Sequence, residues 1–357
     1  MVWHLGLCGK MEKKLSKFYN NKRVLITGHT GFKGAWLSSV LVELGAKVAG
    51  VALKAEVQSM YNEIKLDNNI KSYILDIRDF DSLMNVFIEF QPEIVFHLAA
   101  QPLVLASYEN PRYTYDVNVM GTVNVLECVR LTKSVKSLVN VTTDKVYKNI
   151  EDANYFYNEN DELNGRDPYS NSKSCSELVT SAYIKSFFEN VSVSTCRAGN
   201  VIGGGDFSSN RIVPDCIRAF FGCTPLILRF PNSIRPYQFV LEPVIFYIIL
   251  AMEQYYCVTF ASSYNIGPAS NDCITTLELV QLINNELNNK IEVLVSNNNH
   301  EYEANFLKLD SSKAARKFCW IPKLNINETV KLVISWYCSE DKILTTKNQI
   351  RYYLGKL

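Results

Sequence analysis

The chain is poor in histidine, lacks paired cysteines and has almost no net charge. Its 357 residues include only 4 histidines, and its 10 cysteines form no Cys-x-x-Cys pair. Metal binding and Ser-His-Asp catalysis are therefore not expected, and the cysteines are typical of core residues in a reducing cytoplasm. With 37 basic and 36 acidic side chains, the net charge of +1 gives no indication of a nucleic acid or a membrane as partner.

Long apolar runs are also lacking. A membrane-spanning helix needs roughly 18 consecutive apolar residues, and the nearest approach, 239–252, is interrupted by Glu242 and Pro243. Residues 1–20 lack the apolar core and the cleavage site of a signal peptide, and Met11 opens a more natural start than Met1. We therefore expect a cytoplasmic protein with an N-terminal extension over 1–20, whose first ten residues are either a disordered tail or an upstream start-site artefact.

The first informative motif joins a short apolar strand to a helix. Arg23–Thr27 is followed at once by the turn Gly28-His-Thr-Gly-Phe-Lys-Gly34, then by an apolar helix over 35–44 and a second strand from Lys47. Glycines at such a turn let the backbone approach a pyrophosphate, and the helix N-terminus offers free N–H groups to the anion. The motif predicts a dinucleotide-binding site at the residues Gly28, Thr30, Gly31, Phe32 and Gly34.

Later strand ends extend this predicted cofactor site. The third predicted strand ends at Asp76 and Ile77, which are placed to receive the adenine, unless Asp76 only caps the helix that starts near Asp79. The fourth, over 93–100, ends in Ala99 and Ala100, whose small side chains would let the backbone lie against the cofactor.

Two observations limit what the cofactor motif predicts. No acidic residue directly follows the second strand, so the choice between Glu56 binding a ribose of NAD and Lys54 binding a 2′-phosphate of NADP stays open. His97 lies inside the fourth strand and is expected to be a packed core residue rather than a catalyst.

Two polar stretches carry groups suited to acid–base chemistry. A strand over 137–142 leads into Thr143, Asp144 and Lys145, at the carboxyl end where α/β sheets bind ligands. Downstream, Tyr169 and Lys173 have the i, i+4 spacing that shares one helix face. An ammonium there would lower the pKa of the phenol from its ordinary value of about 10. These residues are the predicted catalytic group.

A glycine-rich segment predicts the substrate site. The strand over 191–198 runs into a stretch that contains Asn200 and Gly204, where the backbone could lie close to a ligand. Arg211, Arg229 and Arg235 follow, and guanidinium groups suit a diphosphate, with scattered surface arginines as the alternative. The predicted substrate-binding residues are Asn200, Gly204, Arg211 and Arg235.

The order of elements predicts an α/β fold, a Rossmann-type doubly wound parallel sheet with a smaller C-terminal α/β lobe. We expect the dinucleotide-binding domain over 21–198, with return segments near 236–267, and the substrate-binding lobe mainly over 199–357. Helices are predicted over 111–133, 169–189 and 275–289, a loop at 297–299, and another helix just after Asp310.

Together these motifs resemble the extended short-chain dehydrogenase/reductase family, and within it the dehydratases that act on CDP-glucose. The segments that carry the resemblance are 28–34 with Trp36-Leu-Ser, 97–104, 118–124, 167–170 and 197–206. Related dehydratases usually carry Glu where Lys145 stands. This chain departs from the pattern at Tyr237 and Phe239, where relatives tend to have Trp and His.

The resemblance implies NAD as cofactor and the nucleotide sugar CDP-glucose as substrate. Tyr169, aided by Lys173 and Thr143, would take the proton of the 4-hydroxyl as carbon 4 loses a hydride. Asp144 would protonate the departing 6-hydroxyl, and the hydride would return to carbon 6. Lys145 would remove the carbon-5 proton as a neutral amine or, if protonated, stabilise the enolate.

The resemblance also implies a homodimer or homotetramer, assembled through the helices over 111–133 and 169–189. Three alternatives remain, the first being a 4,6-dehydratase of the same family that acts on another nucleotide sugar. A nucleotide-sugar 4-epimerase uses the same threonine, tyrosine and lysine but does not need Asp144 and Lys145. A non-catalytic dinucleotide-binding protein would not need Tyr169 and Lys173.

Overall fold

In this computed structural model, residues 10–296 and 306–357 are described, so the first nine residues and the predicted loop at 297–299 lie outside them. The strands in the described part are β1 Arg23–Thr27, β2 Lys47–Ala52, β3 Lys71–Ile74, β4 Ile94–His97, β5 Ser137–Val141, β6 Ser192–Ala198, β7 Val201–Ile202, β8 Leu226–Leu228, β9 Ile234–Pro236, β10 Gln238–Phe239, β11 Ser263–Ile266, β12 Cys273–Thr275 and β13 Val293–Val295. The helices there are α1 Lys10–Tyr19, α2 Phe32–Glu43, α3 Met60–Glu63, α4 Phe80–Phe90, α5 Val104–Glu109, α6 Pro111–Tyr115, α7 Gly121–Leu131, α8 Pro168–Phe187, α9 Ile212–Gly222, α10 Leu241–Tyr256, α11 Thr276–Glu286, α12 Ser312–Phe318, α13 Ile326–Cys338 and α14 Lys342–Leu354.

A 7-stranded sheet in the order β11-β6-β5-β4-β1-β2-β3 organises the molecule. Every neighbouring pair is parallel, and Thr27 at the end of β1 lies opposite Val51 of β2 and His97 of β4. The direction of winding reverses between β1 and β4, and such a point opens a crevice at the carboxyl ends of the strands. The predicted doubly wound parallel sheet is confirmed.

Helices cover both faces of the sheet, which explains why its central strands are apolar throughout. In β1, Val24 and Ile26 face a core that includes Trp36 of α2, whereas Leu25 faces a second core that includes Phe87 of α4. The apolar segment noted in the sequence is α10, which is buried along nearly its whole length and contacts α2, β5 and β6. None of the helices within 10–296 and 306–357 has the length and apolarity needed to cross a bilayer.

Two predicted elements differ in detail from the structure. The third strand ends at Ile74, so Asp76 and Ile77 lie beyond it, and Asp79 rather than Asp76 caps α4 by accepting from the Ser82 amide at 3.1 Å. The helix predicted over 111–133 is interrupted by a π-helical turn, Asp116–Met120. Such turns distort a helix locally and are frequent at functional sites.

The predicted N-terminal extension is helical in its described part. Helix α1 packs with Leu15, Phe18 and Tyr19 buried, and the Tyr19 hydroxyl donates to the Ile248 carbonyl of α10 at 2.7 Å. This anchoring joins α1 to the core through α10.

His97 is a core residue, as the sequence predicted. Its ring is buried between Thr27 Oγ1, at 2.7 Å from Nδ1, and Thr122 Oγ1, at 3.1 Å from Nε2. Burial lowers the pKa of His97 to about 3 and that of the equally buried His29 to about 4. Both rings are therefore neutral in the folded protein near pH 7.

The buried imidazole of His97 predicts acid sensitivity. An unfolded histidine binds a proton below about pH 6.5, whereas folded His97 stays neutral until about pH 3. The stability that neutral His97 contributes is therefore fully present above the pKa of the unfolded residue and is lost as the pH falls below it. Between pH 6.5 and 5 the unfolding free energy of the native protein should fall by roughly 2 kcal/mol more than that of His97→Gln, as measured by denaturant titration. Parallel pH profiles for the two proteins would contradict this.

Candidate active site

A large cleft runs along the carboxyl ends of the sheet strands. Its walls come from the glycine turn before α2, the ends of β5 and β6, the start of α8, and the segments around α9, β8 and β9. The predicted catalytic residues other than Lys173 line the cleft, and Lys173 lies buried one helical turn beyond Tyr169 on α8.

The glycine turn has the tight geometry that a dinucleotide cradle requires. Gly28 has φ +81°, and a Cβ there would lie 2.7 Å from the Ala99 amide nitrogen, so only glycine fits. A Cβ on Gly34 would lie 2.0 Å from the Gly28 carbonyl oxygen. Gly31 precedes the first turn of α2 without a side-chain cap, which leaves the amides of that turn available to an anion.

The remaining predicted cofactor residues surround this turn. The Thr30 hydroxyl donates to the Leu53 carbonyl at 3.1 Å, Phe32 lines the cleft, and the Ala99 amide donates to Thr27 Oγ1 at 3.2 Å, just before Ala100.

Asp76 and Ile77 lie at the far end of the crevice. Asp76 pairs with Arg78 at 2.7 Å, which lowers the pKa of its carboxyl group. The buried side chain of Ile77 faces Gly121 of α7, where a Cβ would lie 2.4 Å from Ile77 Cδ1. The side chain of Ile77 therefore belongs to the core.

Thr143, Asp144 and Lys145, which follow β5 after Thr142, form a short turn that lines the cleft. Thr143 Oγ1 donates to Asp144 Oδ1 at 2.9 Å, and Lys145 Nζ lies 3.8 Å from the same oxygen. Asp144 is 1% exposed, and its Oδ2 has no hydrogen-bond partner among the described residues. Oδ2 lies beside Gly199, where a Cβ would come within 3.4 Å. A buried acid with one free oxygen is thus presented next to an amine.

The start of α8 positions the phenol. Asp167 caps the helix by accepting from the Ser170 amide at 2.9 Å, Pro168 occupies the first helical position, and the Tyr169 amide donates to Ser107 Oγ at 3.1 Å. Lys173 follows one turn later with its Nζ 3.4 Å from the Val141 carbonyl oxygen. Tyr169 therefore lines the cleft, with the buried Lys173 one helical turn further along α8.

The electrostatics of this pair differ from the sequence prediction. Burial raises the pKa of Tyr169 to about 12, although a hydrogen bond with Thr143 and the charge of Arg211 lower it. Burial also lowers the pKa of Lys173 to about 8, with the nearby Lys33 acting in the same direction. The prediction of a depressed phenol pKa is wrong for the protein alone, because desolvation outweighs the neighbouring positive charges.

Three of the four predicted substrate residues line the cleft. Asn200 follows β6, Arg211 pairs with the buried Asp206 at 3.0 Å, and Arg235 is held almost fully buried on β9. Arg229 lines the same end. All three arginines thus line the cleft.

Gly204 is a correction to the sequence prediction. It does not line the cleft; a Cβ there would lie 2.1 Å from Trp336 Cγ, and its carbonyl accepts from Trp36 Nε1 at 2.9 Å. The glycine is required by the packing of two indoles rather than by a ligand.

Among the cleft residues that sequence reasoning missed are two cationic ones, Lys33 and Arg166. Lys33 lies inside the glycine turn, and burial together with the charge of Arg211 lowers its pKa to about 8, while Asp144 and Asp206 act in the opposite direction. A lysine between Gly31 and Gly34 was a visible signal in the sequence. Arg166 carried no comparable signal, since it lies in an irregular loop before α8.

Comparison with known proteins agrees with this arrangement. Residues 25–333 match the family model described as GDP-mannose 4,6 dehydratase. A CDP-glucose 4,6-dehydratase of Salmonella typhimurium is 44% identical over 351 residues, 95% of this chain and 98% of the relative. A solved epimerase of Methanothermobacter thermautotrophicus has a TM-score of 0.82 at 24% identity, covering 96% of this chain and 98% of its own. A dTDP-glucose 4,6-dehydratase of Bacillus anthracis, solved with NAD, has a TM-score of 0.75 at 22% identity, covering 88% and 96%.

The fold and the cleft define an extended short-chain dehydrogenase/reductase. Within that class, the chain belongs to the GDP-mannose 4,6-dehydratase family, because the family model spans most of it and a dehydratase relative matches nearly its whole length. The resemblance to nucleotide-sugar dehydratases that the motifs predicted is confirmed.

The position of Gly204 predicts a packing defect on substitution. Gly204→Ala forces a methyl group into the Trp336 ring and should lower the unfolding free energy by about 1–3 kcal/mol in denaturant titrations. Gly222→Ala is the control, because its nearest neighbour would be Thr224 Oγ1 at an ordinary 3.6 Å. Equal stability of the two variants would contradict the packing role.

Proposed function

We propose that this chain is an NAD-dependent CDP-glucose 4,6-dehydratase, which converts CDP-D-glucose to CDP-4-dehydro-6-deoxy-D-glucose and water. The observation that carries the proposal is the acid and amine of Asp144 and Lys145, set beside Thr143 in the same cleft as Tyr169. Oxidation at carbon 4 needs a base, and loss of water needs a further acid and base. The cleft supplies each of these groups.

The glycine turn suits NAD. Gly28, Gly31 and Gly34 leave room for a pyrophosphate at the uncapped start of α2, and Ala99 and Ala100 lie across the crevice. The adenosine end would extend toward Thr30, Asp76 and Ile77, with Phe32 on the substrate side. When bound, NAD accepts a hydride from carbon 4 of the sugar and later returns it to carbon 6.

Tyr169 is the proposed base for the 4-hydroxyl. Its phenol hydrogen-bonds with Thr143, and the charge of Arg211 favours the phenolate. Lys173, with a pKa of about 8, remains mainly protonated at pH 7 and lies one helical turn from Tyr169 on α8. The hydrogen bond with Thr143 and the charge of Arg211 offset part of the burial that otherwise disfavours the phenolate.

Asp144 and Lys145 are the proposed elimination pair. Asp144 lines the cleft, and its Oδ2, which lies beside Gly199 without a partner among the described residues, supports a role in protonating the departing 6-hydroxyl. Lys145 removes the carbon-5 proton as a neutral amine; if it is protonated it stabilises the enolate instead, and another base takes that proton. In the first role the proton moves from carbon 5 to Lys145 as the carbon–oxygen bond at carbon 6 breaks.

Arg211 and Arg235 are the proposed ligands of the diphosphate, with Asn200 at the sugar side. The preference for cytidine rests on the 44% identical relative, since the cleft alone does not single out a base. The chain departs from the family pattern at two positions. Phe239 is fully buried against Trp36. Tyr237 lines the cleft, with its hydroxyl 3.2 Å from Thr276 Oγ1. Tyr237 is therefore the departure that can touch the nucleotide.

The proposal includes a cytoplasmic homodimer or homotetramer. Support for assembly comes from large apolar side chains exposed along α6 to α8: Tyr113, Tyr115, Met120, Leu178 and Ile184. Clusters of this kind on neighbouring helices favour association with a second copy. The division into a cofactor domain over 21–198 and a substrate lobe over 199–357 likewise stays a prediction.

A panel of nucleotide sugars tests the reaction and the nucleobase together. The purified protein is incubated with NAD and, separately, CDP-glucose, dTDP-glucose, UDP-glucose and GDP-mannose, and a 4-keto-6-deoxy sugar is assayed. We expect product from CDP-glucose alone. Product from another sugar would reject the cytidine preference, and epimerised sugar without keto product would favour a 4-epimerase.

Substitution of the elimination pair should separate the half-reactions. In Asp144→Asn and Lys145→Met, oxidation at carbon 4 should persist and reduced cofactor should accumulate. Formation of the 4-keto-6-deoxy sugar should fall by about 10²–10⁴-fold. Tyr169→Phe is the control and should stop both. Both outputs are measured by nicotinamide absorbance and by product analysis, and unimpaired dehydration in Lys145→Met would reject both roles given to that residue.

A further inference from the structure

The segment that carries Thr143, Asp144 and Lys145 is tied down on both sides by one buried ion pair. Glu177 of α8 and Arg197 of β6 form a bidentate contact, with Arg197 Nε 2.9 Å from Glu177 Oε1 and Nη2 2.9 Å from Oε2. Their side chains are only 2% and 3% exposed. Nothing in the proposed reaction requires these two residues to touch the substrate.

Glu177 holds the start of the segment. Its Oε1 accepts from Thr142 Oγ1 at 2.5 Å, immediately before Thr143, and its Oε2 accepts from Thr195 Oγ1 of β6 at 2.7 Å. Both carboxylate oxygens are therefore saturated by Arg197 and two strand hydroxyls, which orients the carboxylate rigidly.

Arg197 holds the end of the segment. Its Nη1 donates to the Tyr147 hydroxyl at 2.8 Å, two residues after Lys145, and that hydroxyl donates to Asn265 Oδ1 at 2.6 Å. The guanidinium also lies 5.0 Å from the centre of the Tyr147 ring, which stacks on Tyr157. A single ion pair thus connects Thr142, directly before the catalytic turn of Thr143, Asp144 and Lys145, with Tyr147, two residues after it.

Tyr169 and Lys173 are positioned differently. They belong to α8, whose start is fixed by the Asp167 cap and by the contact of the Tyr169 amide with Ser107. Loss of the links to Thr142 or Tyr147 would therefore shift Asp144 and Lys145, whereas Tyr169 keeps its anchors on α8 and only its hydrogen bond with Thr143 is exposed to the shift.

We propose that Glu177 and Arg197 are positioning residues for the elimination step, which act by clamping the turn of Asp144 and Lys145 through Thr142 and Tyr147. This inference rests on the proposed function, and it assigns the two steps of the reaction to different structural elements. The clamp sets the geometry of water loss, whereas α8 sets the geometry of oxidation at carbon 4.

The test uses hydroxyl deletions, because Glu177→Gln leaves Arg197 buried without a counter-charge and is expected to fold poorly. Tyr147→Phe and Thr142→Val each remove one link of the clamp and keep the ion pair. CDP-6-deoxyglucose reports oxidation alone, because it can lose hydride at carbon 4 but has no 6-hydroxyl to eliminate. CDP-glucose reports the whole reaction through the keto sugar.

Both variants should lose keto-sugar formation by about tenfold or more, since a misplacement of about 1 Å can cost 10²-fold. The rate of cofactor reduction with the analogue should fall by a clearly smaller factor, because only Thr143 connects oxidation to the turn. Equal loss of both rates, or no loss of either, would overturn the inference. If the native protein forms no keto sugar from CDP-glucose, the proposed function fails and the inference with it.

Gln254→Leu is the matched control for general damage to the same strands. Gln254 is fully buried at the opposite ends of β5 and β6, where it donates to Ser137 Oγ at 2.8 Å and to the Ser192 carbonyl at 3.2 Å. Its loss should lower stability and leave the ratio of the two rates unchanged. The same selective loss of elimination in Gln254→Leu would reject the clamp as its cause.

Discussion

The parallel pairing of the central sheet is the constraint on which the rest of the structure depends. Since all seven strands run in one direction, their carboxyl ends meet at one edge, and helices must cover both faces. The glycine turn after β1, the alanines after β4 and the catalytic turn after β5 therefore open into one crevice. Residues more than a hundred positions apart in the chain become neighbours because of this arrangement.

Burial governs the charges inside that crevice. Lys33 and Lys173 are both desolvated strongly enough to bring their pKa values to about 8, and the phenol of Tyr169 is pushed in the direction that disfavours its charged form. Asp144 keeps one oxygen free of partners within the described residues. The cleft thus holds several groups whose pKa values are shifted by burial. Shifted pKa values of this kind are typical of sites where protons are transferred.

Buried polar groups support the site from behind. The pair of Glu177 and Arg197 is nearly inaccessible, yet its contacts include Thr142 directly before the catalytic turn and Tyr147 shortly after it. A buried ion pair contributes little net stability compared with an apolar pair of the same size, so its value lies in fixing geometry. Gly204 also supports the site, because its lack of a side chain lets Trp336 pack against the glycine-rich segment while its carbonyl accepts from Trp36.

The sequence by itself determined the fold class, the glycine cradle, the catalytic turn and the Tyr169 and Lys173 pair, because each depends on short-range spacing or on apolar runs that any reader of the chain can see. It also predicted His97 as a core residue. Tertiary structure alone decided that Gly204 serves packing, that Lys33 joins the cleft, that burial raises the pKa of Tyr169, and that Glu177 meets Arg197. These features depend on desolvation and on contacts between distant segments, and neither is encoded in local spacing.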